Sequence, residues 1–153
     1  MAQRNPPSSS VHGRILLVDG NANGLAARKT VLEENGHKVW VASSGSDAFE
    51  QFSGHRFDLV VTDHKMPRMD GLGLIRKIRA LSPATPIVLL SGFVDALGLN
   101  EQTTGADAVI MKSSTEVSHM VRAVARLLRR KPVSKKPASE GSPASKAKRS
   151  GAQ

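Results

Sequence analysis

Four polar residues stand where short aliphatic runs end. Asp19 closes the run 15–18, Asp63 the run 59–62, Ser91 the run 87–90 and Lys112 the run 109–111. Two carboxylates, a hydroxyl and an ammonium make a coherent chemical set. A carboxylate can attack phosphorus as a covalent nucleophile. The protein must then hold it in line and neutralise charge on three equatorial oxygens. An ammonium and a hydroxyl suit that task, and a divalent cation held by carboxylates usually completes it. The set therefore points to phosphoryl transfer onto a carboxylate. The chain contains no cysteine, so it has no thiolate metal site, redox pair, Cys nucleophile or disulfide framework.

Such a set needs elements that deliver it to one rim. The runs 15–18, 38–42, 59–62, 87–90 and 109–111 lack polar alternation, as strands buried on both faces of a parallel sheet do. Each is followed by a segment of helical period, at 22–35, 46–53, 72–81, 94–104 and 115–130. Gly36 and Gly54 stand where residues just past a helix end are expected, and Pro83 stops the third helix. In the last helix Val117, Met120, Val121, Val124, Leu127 and Leu128 form one apolar stripe, and Ser113 with Glu116 has capping-box spacing. Gly98 and the polar run 100–104 weaken the fourth helix. Five β-α units imply an α/β fold, an open doubly wound parallel sheet with helices on both faces. Ligands of such sheets bind beyond the C-terminal strand ends, where all four polar residues lie.

The length of 153 residues fits one domain, with a polar lead at 1–11, a folded body at 12–130 and a basic tail at 131–153. The net charge of +9 is unevenly placed: residues 1–128 carry 14 basic and 12 acidic groups, whereas 129–153 carry 8 basic groups and Glu140. The tail holds no apolar residue larger than Val133, so it is expected to be disordered and to contain no effector domain. It suits solubilisation, or a weak, salt-sensitive contact of 131–153 with nucleic acid. No stretch approaches the roughly 20 apolar residues of a membrane span, and no signal peptide is evident. A soluble, cytoplasmic protein is expected.

From Arg14 to Leu128 the sequence resembles the receiver domain of two-component response regulators, over about three quarters of the chain. The resemblance rests on RILLVD, DLVVTDHKMPRMDG, PIVLLSG and GADAVIMK, with Asp63, Met66-Pro67 and Met69-Asp70-Gly71 in the family's spacing. It implies a flavodoxin-like five-stranded sheet of order 2-1-3-4-5 with five helices. It further implies that Asp63 is the phosphoacceptor. Ser91 and Lys112 would contact the phosphoryl group. Asp19, Asp63 and the backbone carbonyl of Lys65 would hold Mg²⁺. Its partners would be a sensor histidine kinase or phosphotransfer protein, a downstream protein effector and, in some members, a second copy of the chain as a homodimer.

Three positions depart from the family pattern. The first strand usually ends in two acidic residues, of which the second is a principal metal ligand; here it is Gly20. Mg²⁺ binding should therefore be weakened, since losing even an outer partner of a metal costs about 10- to 100-fold. The aromatic switch position on strand five is Val109, and the proline usual after the lysine is Ser113. A cis bond at 112–113 is therefore not expected, because non-proline cis bonds cost about 2.5–4 kcal/mol. The Lys65 ammonium is expected to approach the acid pocket and offset part of the missing metal charge.

Neighbouring residues read more plainly. His64 is expected as a solvated loop residue, Asp70 as a helix N-cap and Asp19 as either a cap or a metal ligand. Phe93, two residues after Ser91, either restricts water at an aspartyl phosphate or packs. The leading reading is a stand-alone phosphorelay receiver, a signalling module rather than an enzyme, with at most self-phosphorylation and self-dephosphorylation chemistry. The alternatives are a phosphorylation-independent pseudo-receiver scaffold and a nucleic-acid-associated protein acting through its tail.

Overall fold

The computed structural model describes residues 11–134. The remainder of the lead and the segment 135–153, on which most of the disorder expectation falls, lie outside the described residues. Five strands form one parallel sheet: β1 (Arg14–Val18), β2 (Lys38–Ala42), β3 (Leu59–Asp63), β4 (Ile87–Ser91) and β5 (Ala108–Met111). Their order is β2-β1-β3-β4-β5, as the resemblance implied. The helices are α1 (Ala22–Glu34), α2 (Gly45–Gly54), α3 (Gly71–Leu81), α4 (Val94–Leu97), α5 (Glu101–Thr104) and α6 (Glu116–Ser134).

The sheet is buried from both sides, and strand alternation divides its side chains between two cores. Ile15, Leu17, Val61 and Leu90 face α1 and α6, meeting Leu32, Met120, Val124 and Leu127. Leu16, Val60, Ile87 and Leu89 face α2 and α3, meeting Phe52, Leu74, Ile75 and Ile78. All residues of β3 and β4 are buried, which explains why their sequences carry no alternation. Each such Leu or Ile contributes about 1.5–3 kcal/mol of burial. None of the described helices is long and apolar enough to cross a membrane.

The helix boundaries differ from expectation in four places. The fourth helix is two short ones, because Gly98 takes a left-handed φ of 63° and ends α4, and Asn100 then caps α5. The described helices therefore number six rather than five. Gly54 is the last residue of α2, with extended His55 as its cap, whereas Gly36 takes the left-handed conformation expected past a helix end. The capping box at Ser113 does not form. Ser113 Oγ accepts from the Thr115 N–H, while the Glu116 carboxylate is drawn away to Arg28. Finally, α6 runs to Ser134, so the boundary at 130 falls inside a helix.

His37, between α1 and β2, is buried, and its Nδ1 accepts the Gly13 N–H at 3.1 Å. Burial, with nearby His12, pushes its pKa below the ordinary 6.5. A depressed histidine stabilises the fold above the ordinary value and loses that contribution as pH falls through it. Thermal unfolding midpoints should therefore drop on acidification through the histidine range. His37→Asn, whose side-chain oxygen can accept the same bond, should flatten that drop; an unchanged slope would contradict the assignment.

Candidate functional site

Parallel register brings four strand ends to one rim. Val18 pairs with Thr62, Asp63 with Leu90 and Ser91 with Met111. Asp63, the last residue of β3, is 6% exposed, and its Oδ1 lies 2.5 Å from Lys112 Nζ. The Lys112 N–H donates to the Ser91 carbonyl at 2.9 Å, stitching the end of β5 to β4. Burial pushes the Asp63 carboxyl above the ordinary carboxylate range. Lys112 pulls it down, the Asp19 charge adds to the rise and Arg28 opposes it.

Ser91 reaches Asp63's neighbourhood through a residue expected elsewhere. Its Oγ accepts the Phe93 N–H at 3.0 Å and lies 3.2 Å from His64 Nδ1. His64 is 5% exposed and is not a solvated loop residue. Its N–H donates to the Leu90 carbonyl and its own carbonyl accepts the Gly71 N–H. These bonds hold the residue against β4 and α3, with its ring packed beside the Ser91 hydroxyl. One sequence signal was available: His64 directly follows a strand buried on both faces.

Gly71 is required by that closeness. A Cβ there would collide with the Asp63 carbonyl oxygen and lie 3.0 Å from His64 Cα, so only glycine lets α3 start against the end of β3. Asp70 caps α3 as expected, accepting the Gly73 N–H at 2.9 Å. The cap of α1 is Asn21 rather than Asp19, and the Asn21 N–H donates to Asp19 Oδ1 at 2.9 Å.

Besides Lys112, the acid pocket holds a second cation, Arg28, which the sequence reading missed. Its Nη1 bonds Asp19 Oδ2, and its Nε and Nη2 bond Glu116 Oε2 at 3.0 and 2.6 Å. The arginine side chain is 9% exposed, Asp19's 3% and Glu116's 14%. Burial works against the arginine's charge, but Glu116 and Asp19 outweigh it and hold the pKa above the ordinary value. Removing one partner of such a buried network costs about 3–5 kcal/mol. Lys65, expected to supply this charge, is exposed, with its ammonium 5.3 Å from the centroid of the Phe93 ring. Phe93 is itself 48% exposed.

This donor set does not fit a divalent ion as it stands. Mg²⁺ asks for oxygens in near-ideal octahedral geometry, usually one or two carboxylates with water and phosphate. Asp19 offers one oxygen to Asn21 and the other to Arg28, and Asp63 gives Oδ1 to Lys112. Gly20 supplies no side chain, although a Cβ there would meet nothing nearer than the Ser43 carbonyl at 3.9 Å. Among the described residues, no three His, Asp or Glu side chains gather to hold a metal. On β5, Val109 is half-buried, and its N–H donates to Glu101 Oε2 at 3.2 Å.

A carboxylate–lysine pair at the C-terminal rim of a 2-1-3-4-5 sheet agrees with the family comparison, in which the response regulator receiver domain matches residues 15–125. The chain belongs to this family. Among curated relatives, a gliding motility regulatory protein of Myxococcus xanthus is 31% identical over 74% of this chain and 15% of its own length. The ZraR transcriptional regulatory protein of Salmonella typhimurium is 38% identical over 52% of this chain and 18% of its own. The chain thus spans under a fifth of those two relatives. Among solved structures, a receiver domain protein from Clostridium thermocellum covers 78% of this chain and 97% of its own, at 28% identity and a TM-score of 0.71. The response regulator TrrA of Thermotoga maritima, solved with Mg²⁺ and beryllofluoride, covers 74% and 97% at 29% identity and a TM-score of 0.68.

The raised pKa of Asp63 in this receiver domain has a stability consequence. The folded state holds the proton where the unfolded chain releases it, so stability falls as pH rises above the ordinary carboxylate value. Asp63→Asn should melt above wild type at neutral pH, with the difference shrinking as pH falls through the carboxylate range. A variant less stable than wild type at neutral pH would contradict this.

Proposed function

We propose that this receiver domain accepts a phosphoryl group on Asp63 from a phosphohistidine of a sensor histidine kinase or phosphotransfer protein. The observation that carries the reading is the buried Asp63 carboxylate with Oδ1 on the Lys112 ammonium. Asp63 Oδ2, the oxygen Lys112 does not hold, attacks phosphorus. A P–O bond forms as the donor's P–N bond breaks, and the imidazole leaves with that electron pair and takes a proton. Lys112 holds the nucleophile and then neutralises a phosphoryl oxygen, while the Ser91 hydroxyl turns from His64 to bond another. Mg²⁺, the family's usual cofactor, is weakened here because Gly20 replaces an acidic ligand and Asp19 is occupied by Arg28.

The product is a signalling state, with no substrate turned over beyond the domain's own phosphorylation and dephosphorylation. Output passes to a downstream protein effector, and a cytoplasmic location accords with a kinase partner. Phosphorylation can signal only through contacts that differ between two conformations. With Val109 in the switch position, those contacts do not include an aromatic rotation on β5.

Incubation with acetyl phosphate followed by intact-mass measurement tests the reading. One phosphoryl increment is expected, absent in Asp63→Asn and formed about tenfold or more slowly in Lys112→Ala, which loses a charge-assisted contact. An adduct that survives Asp63→Asn would contradict the reading, and no adduct with either acetyl phosphate or a phosphorylated kinase would contradict it and favour the scaffold.

A further inference from the structure

Arg28 lies buried in the acid pocket. It projects from α1 into the pocket between Asp19, just past β1, and Glu116, in the first turn of α6. Gly24, one turn before it, leaves the corridor open: a Cβ there would lie 2.9 Å from Asp19 Oδ2 and 3.1 Å from Arg28 Nη1. The three bonds to Asp19 and Glu116 use three of the five guanidinium N–H groups, which leaves two further donors on the terminal nitrogens. Guanidinium forks match phosphoryl oxygens in geometry as well as charge.

The charge count at the rim agrees. Asp19, Asp63 and Glu116 face Arg28 and Lys112, one negative charge in excess. With an acidic residue at 20 and no arginine, the same rim would carry three negative charges in excess, two more than it does, and a divalent ion neutralises those two. Here position 20 carries no carboxylate and a cation lies buried against Asp19 and Glu116. Asp19, which Arg28 holds, follows β1, and Asp63 ends the neighbouring β3, so the guanidinium and the phosphoacceptor lie on one rim.

We propose that Arg28 is the resident cation of this acid pocket in place of a divalent metal, and that a phosphoryl group on Asp63 is met by Arg28 and Lys112 without Mg²⁺. The proposal rests on the phosphoacceptor reading of Asp63. With acetyl phosphate as donor, Asp63 Oδ2 forms the new P–O bond while the bond between phosphorus and the acetyl oxygen breaks, and acetate leaves with the electron pair. Arg28 and Lys112 supply the charge that stabilises the transferred group, and no further reactant is needed.

The test uses the full chain in two arms. In the first, Mg²⁺ is titrated calorimetrically into wild type and into the double variant Gly20→Asp/Arg28→Gln. Wild type should show no saturable binding at low-millimolar Mg²⁺, and the double variant should gain it. In the second, labelling by acetyl phosphate is followed by intact mass in EDTA and in Mg²⁺. Wild type should label at rates within about twofold in the two buffers, and Arg28→Gln should lose about tenfold or more in EDTA. Saturable Mg²⁺ binding by wild type, or wild-type labelling that needs Mg²⁺, would overturn the proposal. So would an Arg28→Gln that labels like wild type in EDTA, which would make the arginine a purely structural ion pair. The wild-type measurements decide even if a variant fails to fold. Labelling in neither buffer, by acetyl phosphate or by a phosphorylated kinase, would overturn the phosphoacceptor reading instead, and the titration would still decide whether Arg28 replaces the metal.

Discussion

A guanidinium buried between two carboxylates sets the terms for the rest of the rim. Arg28 joins Asp19 at the end of β1 to Glu116 at the start of α6, residues 88 positions apart in the case of the Arg28–Glu116 bond. Neither carboxylate is more than slightly exposed, so each would be costly to bury alone. The pair of helices on that face of the sheet, α1 and α6, is therefore fixed by charge at the rim as well as by Leu32, Met120 and Val124 in the core. The expected capping box at Ser113 does not form: Ser113 Oγ accepts the Thr115 N–H, and the Glu116 carboxylate turns to Arg28.

The neighbouring carboxylate is treated differently. Asp63 has an ammonium on one oxygen, yet its burial outweighs that partner and keeps the carboxyl above its ordinary pKa. A fold selected for stability alone would not leave a buried carboxylate so incompletely compensated; sites that must react often carry such a cost. The packing around it is tight. Gly71 lets α3 approach β3, and His64, anchored through its backbone to β4 and α3, carries its ring to the Ser91 hydroxyl.

The sheet was legible in the sequence because it depends on local composition. Five short aliphatic runs separated by helical periods leave few arrangements, and the family pattern supplied the strand order. Asp63, Ser91 and Lys112 were legible for a related reason: each stands at the end of a run, and the sheet topology takes all such ends to one rim. Arg28 was not legible, because its role depends on a glycine one turn earlier, an aspartate nine residues back and a glutamate 88 residues on. Lys65 was the nearer cation in sequence and the wrong one, since the loop after β3 turns it outward to Phe93. The break between α4 and α5 was half legible, as Gly98 weakened the helix on paper and its left-handed conformation ends it in the fold.

The central claim is that the acid pocket carries its own cation, which responds to phosphoryl chemistry and not to metal. The most direct measurement is the Arg28 Nε–H resonance in the full chain by nitrogen-15 NMR. The account predicts a distinct resonance protected from solvent exchange, unmoved by Mg²⁺ and displaced when Asp63 is phosphorylated. A resonance that exchanges rapidly with water, or one that Mg²⁺ titrates in the unphosphorylated protein, would contradict it.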